Sequence, residues 1–357
     1  MIRDGLPQLA RALREGERAR IVAFGSSITH DGDYLEPLAP LLRRRFPGSD
    51  VDIMIRSLPG FMTFWAMHRT PAIAELKPDL VILEFAVNDH SIHVPEITAK
   101  SIEGIVRQLK SVTIPPDIVF VYFMSRLPEA TSRQREVIAV WEKVAEHYGI
   151  SSIDCSAVAE SMVQSGRALW SYRWPGRPSW DAVDYPIAIT RDMSHPKAQA
   201  GRMLGEDVAR TIAEAAAKET RRALPPPLYA DHYAEARSYF PQQLVRDGWS
   251  RRILDDRVEA QPTVNYFSEI LAADRPGAEL TIALEGRHLL LWAYSSQNNV
   301  ISLDGSRAQL SLPDPRIAYP TFVVRQDAPS SYVIRIEAHE LPLEIAALDV
   351  LGELQLA

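Results

Sequence analysis

Short apolar runs recur at regular intervals through the first half of the chain, and this spacing restricts the fold more than any other feature. Residues 21–24, 51–55, 80–85 and 118–123 each have the length of a buried strand, and 151–154 adds a shorter fifth. Between them, 34–46, 72–76, 97–109 and 131–148 carry apolar residues at helical spacing. A helical pattern at 7–14 precedes the first run, and another at 196–218 follows the last. Strands alternating with helices predict a parallel sheet with helices on both faces, and loops that follow the strands then share one rim.

Past that region the pattern changes. Pro225-Pro226-Pro227 cannot continue a helix and favours a stiff extended linker. Beyond it, runs such as 279–282, 289–294, 300–303, 321–324, 332–337 and 343–350 are separated by Gly, Pro, Asp and Asn. That alternation predicts an all-β domain, an antiparallel sandwich or jelly roll. The expected boundaries are a three-layer α/β/α domain over 1–222, a linker over 223–228 and a β domain over 229–357.

Bulk properties exclude several functions. The formal charge is −7 with both signs interspersed, which argues against an electrostatic nucleic-acid binder. Cys155 is the single cysteine, so no intrachain disulfide and no thiolate zinc cluster can form. No run reaches the length of a membrane span or a signal-peptide core, and a cytoplasmic location without a membrane partner is the expectation.

The chemistry-bearing residues sit after the strands. The first run breaks at Gly25 into Ser26, Ser27 and Thr29, which places a hydroxyl at a sheet edge. Acyl transfer needs an activated hydroxyl, a base, a group that orients the base, and donors for the oxyanion. Ser26 or Ser27 supplies the hydroxyl. Asp192 and His195 stand three apart on a late turn, so the carboxylate can hold Nδ1 while Nε2 faces the serine. Gly60 after the second strand offers an unobstructed N–H, and Asn88 after the third offers a side-chain amide. Taken singly, Ser27 also reads as a helix N-cap, Asn88 and Gly60 as turn formers, and Asp192 as a cap with His195 at the surface. Jointly they point to catalysis.

These four blocks, Gly25-Ser26-Ser27-Ile28-Thr29, Gly60, Ala86-Val87-Asn88-Asp89 and Asp192-Met193-Ser194-His195, resemble the SGNH/GDSL family of esterases and lipases. The resemblance covers roughly residues 18–215 and implies a flavodoxin-like fold. It also implies Ser27 as nucleophile, His195 as base, Asp192 as its orienter, and an oxyanion hole of the Ser27 N–H, Gly60 N–H and Asn88 amide. Two positions depart from the family pattern: Ser26 stands where Asp is usual, and Ala86 where Gly is usual. Ala86 would be strained only at positive φ.

Other residues carry weaker expectations. His30, His90 and His93 are read as rim residues that touch substrate, together with Trp170, Trp174 and Trp180 from an aromatic-rich irregular segment over 161–189. His30, Asp31, Asp33, Asp89, His90 and His93 match no zinc signature, so no metal and no cofactor are expected. Glu84, inside an apolar strand, is expected at an edge or paired with a basic residue. Cys155 reads as a small buried residue. The expected function is hydrolysis of a short acyl ester, acetyl foremost, on a small-molecule or oligosaccharide substrate. The stacking faces of the aromatic segment favour a carbohydrate, as does the likeness of the β domain to modules that accompany some SGNH carbohydrate esterases. The alternatives are a broad short-chain carboxylesterase or thioesterase, and a non-catalytic carbohydrate-binding protein. A homo-oligomer stays open.

Overall fold

The computed structural model describes residues 1–92, 94–171, 187–218, 220, 222–254, 267–295, 299–310 and 318–356. Among the aromatic and histidine candidates, His93, Trp174 and Trp180 lie outside these. The chain divides into two compact units, Met1–Ala66 with Thr70–Ala234, and Met67–Arg69 with Glu235–Ala357.

The first unit is an α/β domain around a five-stranded parallel sheet. Its strands are β1 (Arg18–Gly25), β2 (Asp50–Ser57), β3 (Leu80–Glu84), β4 (Asp117–Tyr122) and β5 (Ser151–Asp154), in the order β2-β1-β3-β4-β5. This is the flavodoxin-like order, whose ligand crevice lies at the carboxyl ends of the strands beside the first. β3 and β4 are buried along their whole length, as strands covered on both faces must be. The helices are α1 (Pro7–Glu15), α2 (Ser27–Asp31), α3 (Leu38–Arg45), α4 (Thr63–Ala66), α5 (Thr70–Glu75), α6 (Pro95–Lys110), α7 (Pro128–Tyr148), α8 (Cys155–Gln164) and α9 (Ala198–Ala216).

The helix expected over 34–46 is shorter. A 3-10 turn at Asp33–Leu35 comes first, and α3 begins only after Pro37. A proline disfavours helical backbone in the residue before it, which accounts for the break. α9 packs against that 3-10 turn. A Cβ on Gly205 would lie 2.3 Å from the Tyr34 carbonyl oxygen, so only glycine permits the approach.

The first unit runs on past the triple proline to Ala234, beyond the boundary drawn from sequence. The Glu103 carboxylate of α6 accepts hydrogen bonds from the backbone N–H groups of Leu228 and Tyr229, and the Tyr233 N–H donates to Lys100 O. These bonds hold the segment to α6. The linker prolines are followed by an anchored stretch.

The second unit is all β. After the short pair β6 (Ala168–Leu169) and β7 (Ile187–Ala188) of the first unit, the second unit's strands among the described residues form one antiparallel sheet of eight. The order is β13 (Ser306–Leu310), β12 (Asn299–Leu303), β14 (Tyr319–Glu337), β11 (Glu279–Ser295), β15 (Leu343–Leu356), β10 (Glu269–Ala273) and β9 (Trp249–Ile253), with β8 (Ala236–Tyr239) beside β15. Its centre is three long strands: β11 (Glu279–Ser295), β14 (Tyr319–Glu337) and β15 (Leu343–Leu356). Runs that read as separate in sequence, 279–282 and 289–294, are one strand carried through bulges at Gly286/His288 and Leu289/Leu290. Bulges bend a strand without ending it. Arg69 contributes to this unit's interior. Its guanidinium is buried, donates to Asp349 and Ser238, and lies over the rings of Phe240, Phe267 and Trp292. Asp349 also accepts from Ser238 Oγ at 2.6 Å and from Trp292 Nε1 at 2.6 Å.

Candidate active site

The turn after β1 sets the site. Ser26 occupies the N-cap position of α2 in an extended conformation, with φ −87° and ψ −154°, and Ser27 is the first helical residue. A first-turn amide has no intrahelical acceptor, so the Ser27 N–H is free to serve something else. Ser27 Oγ lies 2.8 Å from His195 Nε2. On the other side of the ring, His195 Nδ1 lies 2.8 Å from Asp192 Oδ2, while Asp192 Oδ1 accepts the backbone N–H groups of Ser194 and His195 at 3.1 and 2.8 Å. The carboxylate therefore fixes both the loop and the ring. With Nδ1–H donating to Asp192, Nε2 is the free base that accepts from Ser27. Partial burial pushes the Asp192 carboxyl up, but the hydrogen bonds from His195 and Ser194 outweigh it and hold the group below its ordinary value.

Between Asp192 and His195 the chain passes through Met193 at φ +75°, a left-handed conformation that a side chain pays for in strain. Two bonds hold it there. The Met193 N–H donates to Thr190 Oγ1 at 3.1 Å, and its carbonyl accepts from the Arg126 N–H at 2.7 Å.

Gly60 and Asn88 meet through one intervening residue. Leu58-Pro59-Gly60-Phe61 is a turn closed by the Phe61 N–H on Leu58 O, with proline second and glycine third at φ +79°. That is a type II turn, and its third position requires glycine. The turn is tied to the serine turn because the Leu58 N–H donates to Gly25 O at 2.8 Å. Asn88 Nδ2 donates to Phe61 O at 2.9 Å, which binds the asparagine loop to the glycine loop. Asp89, wholly buried, adds a second tie: it accepts from the Thr63 N–H and Oγ1 and from Trp141 Nε1. Burial raises the Asp89 carboxyl to about 6 against those hydrogen bonds. Ala86 is not at positive φ, so it brings no strain there.

The remaining candidates are placed as follows. His30 Nδ1 meets Ser57 Oγ, at the end of β2, at 3.1 Å, and His90 Nδ1 donates to Val87 O of its own loop at 2.8 Å. Trp170 is half-buried against the core, and the Arg126 guanidinium covers one ring face at 4.4 Å. That face is therefore unavailable for stacking on a sugar. Cys155 is fully buried at the start of α8, and burial pushes its thiol well up, which makes it inert. Among the described residues no three His, Cys, Asp or Glu side chains converge as metal ligands would.

Glu84 corrects the sequence reading. It is neither at an edge nor beside a base, but ends the central strand β3 fully buried, with Ser26 and Thr29 as its partners. Its donors come instead from two hydroxyl-bearing residues of the first block, Ser26 and Thr29, and from the Ser26 N–H. Residues in place of the family's Asp and in the third block's strand meet here across 58 positions.

Residues 23–200 match the GDSL-like lipase/acylhydrolase family. The chain belongs to that family. No curated protein matches it significantly in sequence. Among solved structures, it is similar to a two-domain esterase active on acetylated mannans. The match has 17% identity and a TM-score of 0.73, covering 99% of this chain and 97% of that one. The same enzyme co-crystallized with mannopentaose matches at 16% identity and a TM-score of 0.72, over 98% and 96% of the two chains. The shared fold thus extends over both units of this GDSL hydrolase.

Proposed function

We propose that this GDSL hydrolase is a serine esterase that removes short acyl groups, acetyl foremost, from a carbohydrate. The observation that carries the reading is the unbroken line Ser27 Oγ, His195 Nε2, His195 Nδ1, Asp192 Oδ2, with 2.8 Å at each hydrogen bond. Ser27 Oγ attacks the ester carbonyl as His195 takes its proton, and Asp192 stabilises the imidazolium that forms. Charge on the carbonyl oxygen is met by the Ser27 N–H, the Gly60 N–H and Asn88 Nδ2. His195 returns the proton to the departing alcohol, and water then repeats the sequence on the acyl-enzyme to release the acid. No step calls on a cofactor. The carbohydrate is argued from the structural likeness to a mannan esterase across both units.

The test is release of acetate from acetylated mannan and from peracetylated xylose, alongside p-nitrophenyl acetate, butyrate and octanoate, by wild type and Ser27→Ala. The expected outcome is activity on acetate esters and acetylated sugar that falls by roughly 10⁴-fold or more in Ser27→Ala. Equal turnover of the octanoate would replace the carbohydrate reading with a broad carboxylesterase. A folded wild type silent on every ester, and unlabelled by a fluorophosphonate, would leave only a sugar-binding role.

A further inference from the structure

The turn that carries Ser27 is built on a buried carboxylate that acyl transfer itself does not use. Glu84 Oε2 accepts from the Ser26 N–H at 3.1 Å, Ser26 Oγ at 3.0 Å and Thr29 Oγ1 at 2.9 Å, and Oε1 lies 3.2 Å from Ser26 Oγ. With the Thr29 proton committed to Glu84, the Tyr34 hydroxyl donates to Thr29 Oγ1 at 2.9 Å. Gly25 makes the arrangement possible, since a Cβ there would sit 2.0 Å from Thr29 Oγ1. Among the described residues no lysine, arginine or histidine pairs with the carboxylate. On the flanking strands β1 and β4 the charged residues Arg18, Arg20 and Asp117 lie at the opposite end. The titratable groups that face it are the Tyr34 phenol, from the 3-10 turn, and the Cys155 thiol, from the start of α8, both buried and both held neutral.

We propose that Glu84 is a positioning residue for the nucleophile, and that its ionised form is the one that holds the Ser26–Ser27 turn ready for attack. The proposal rests on Ser27 being the nucleophile. As a carboxylate, Glu84 accepts every donor around it. A proton added to Oε1 reverses its contact, so that Oε1–H donates to Ser26 Oγ. It also leaves Oε2 a neutral carbonyl oxygen that holds the Ser26 N–H, the Ser26 hydroxyl and the Thr29 hydroxyl more weakly than a charged oxygen does. Ser26 is fully buried, so no water makes good the weakened bonds. Ser26 directly precedes Ser27, and the loosened turn misaims Oγ relative to His195. Burial raises the Glu84 carboxyl to about 7, against the hydrogen bonds from Thr29 and Ser26, so the change falls near neutral pH.

Glu84→Gln imitates the protonated form permanently, because its carbonyl oxygen can stand for Oε2 while its NH₂ donates to Ser26 Oγ. The experiment is the pH profile of kcat and kcat/KM on p-nitrophenyl acetate for wild type, Glu84→Gln and Ser26→Ala, with the rate of fluorophosphonate labelling for each. The wild type should show two ionisations on its acid limb, and Glu84→Gln only one. At pH 8, Glu84→Gln should lose roughly ten- to a hundredfold in kcat with KM little changed, the scale of a small misplacement of reacting atoms. Ser26→Ala keeps the carboxylate but removes a bond to its ionised form, so one wild-type ionisation should move to higher pH. Labelling of Glu84→Gln at the wild-type rate, with an unchanged profile, would overturn the proposal. If Glu84→Gln does not fold, an unmoved profile in Ser26→Ala does the same. A wild type that neither hydrolyses nor labels would instead overturn the Ser27 reading beneath it.

Discussion

Both units of the chain bury carboxylates completely, and two of them, Asp349 and Glu84, are treated differently. Asp349 in the β unit faces the Arg69 guanidinium, with Ser238 and Trp292 completing its hydrogen bonds. Glu84 in the α/β unit meets only hydroxyl and amide donors. An opposite charge neutralises a buried carboxylate, whereas neutral donors offset only part of the cost of taking it from water. The first arrangement locks a fold. The second leaves a group poised to change its charge, and it lies directly beneath the serine turn.

The comparison breaks most severely at Arg69. Arg69→Met strands Asp349 without its cation, and the expected loss is about 3–5 kcal/mol of unfolding free energy, read by denaturant titration. The double change Arg69→Met with Asp349→Leu should recover much of that loss; a double variant as unstable as the single would show that packing, not charge, is at stake. Glu84 should behave in the opposite sense. Its folded pKa is raised from the ordinary 4.5 to about 7, so the folded state binds a proton that the unfolded state has released. This group's own contribution to stability is then fully present below pH 4.5 and is lost as pH rises through 7, by about 3 kcal/mol. Comparing unfolding at pH 5 and pH 8, Glu84→Gln should narrow the difference. If the difference is as wide in the variant, Glu84 is not the group responsible.

A smaller effect sharpens the comparison with Asp192, whose folded pKa is depressed. Its stabilisation is present above the ordinary carboxyl range and lost as pH falls through the folded value, the reverse of Glu84. Asp192→Asn should therefore flatten the acid end of the stability profile while leaving the pH 5 to 8 interval alone. The smallest change is at Met193, where the left-handed backbone is strained. Met193→Gly relieves that strain but loosens the unfolded chain as well, so thermal unfolding should move by about 1 kcal/mol or less. A larger loss would mean that the Met193 side chain itself supports the His195 loop.

The parallel sheet was legible because each strand carried its own periodicity, and the Asp192–His195 pair because a three-residue spacing is local. Glu84 was not, because its partners are 55 and 58 residues away and look, in sequence, like ordinary members of a serine turn. Arg69 gave no sign at all. It stands between two short helical segments of the first unit, and its partner comes 280 residues later. β11 and β14 were read as pairs of short strands because bulged and irregular positions interrupt the apolar pattern without interrupting the ladder. Trp170 was recognised as aromatic but not as covered, since nothing near it in sequence announces Arg126 as its stacking partner.

The place of Met67–Arg69 within the β unit has a consequence for how this protein can be cut and recombined. A fragment beginning at Glu235 has every strand of the second unit but not the guanidinium that answers Asp349. Such a fragment is not a module that can be grafted onto another hydrolase by joining at the obvious seam. It would have to carry a substitute cation, or lose the aspartate, before it could stand alone.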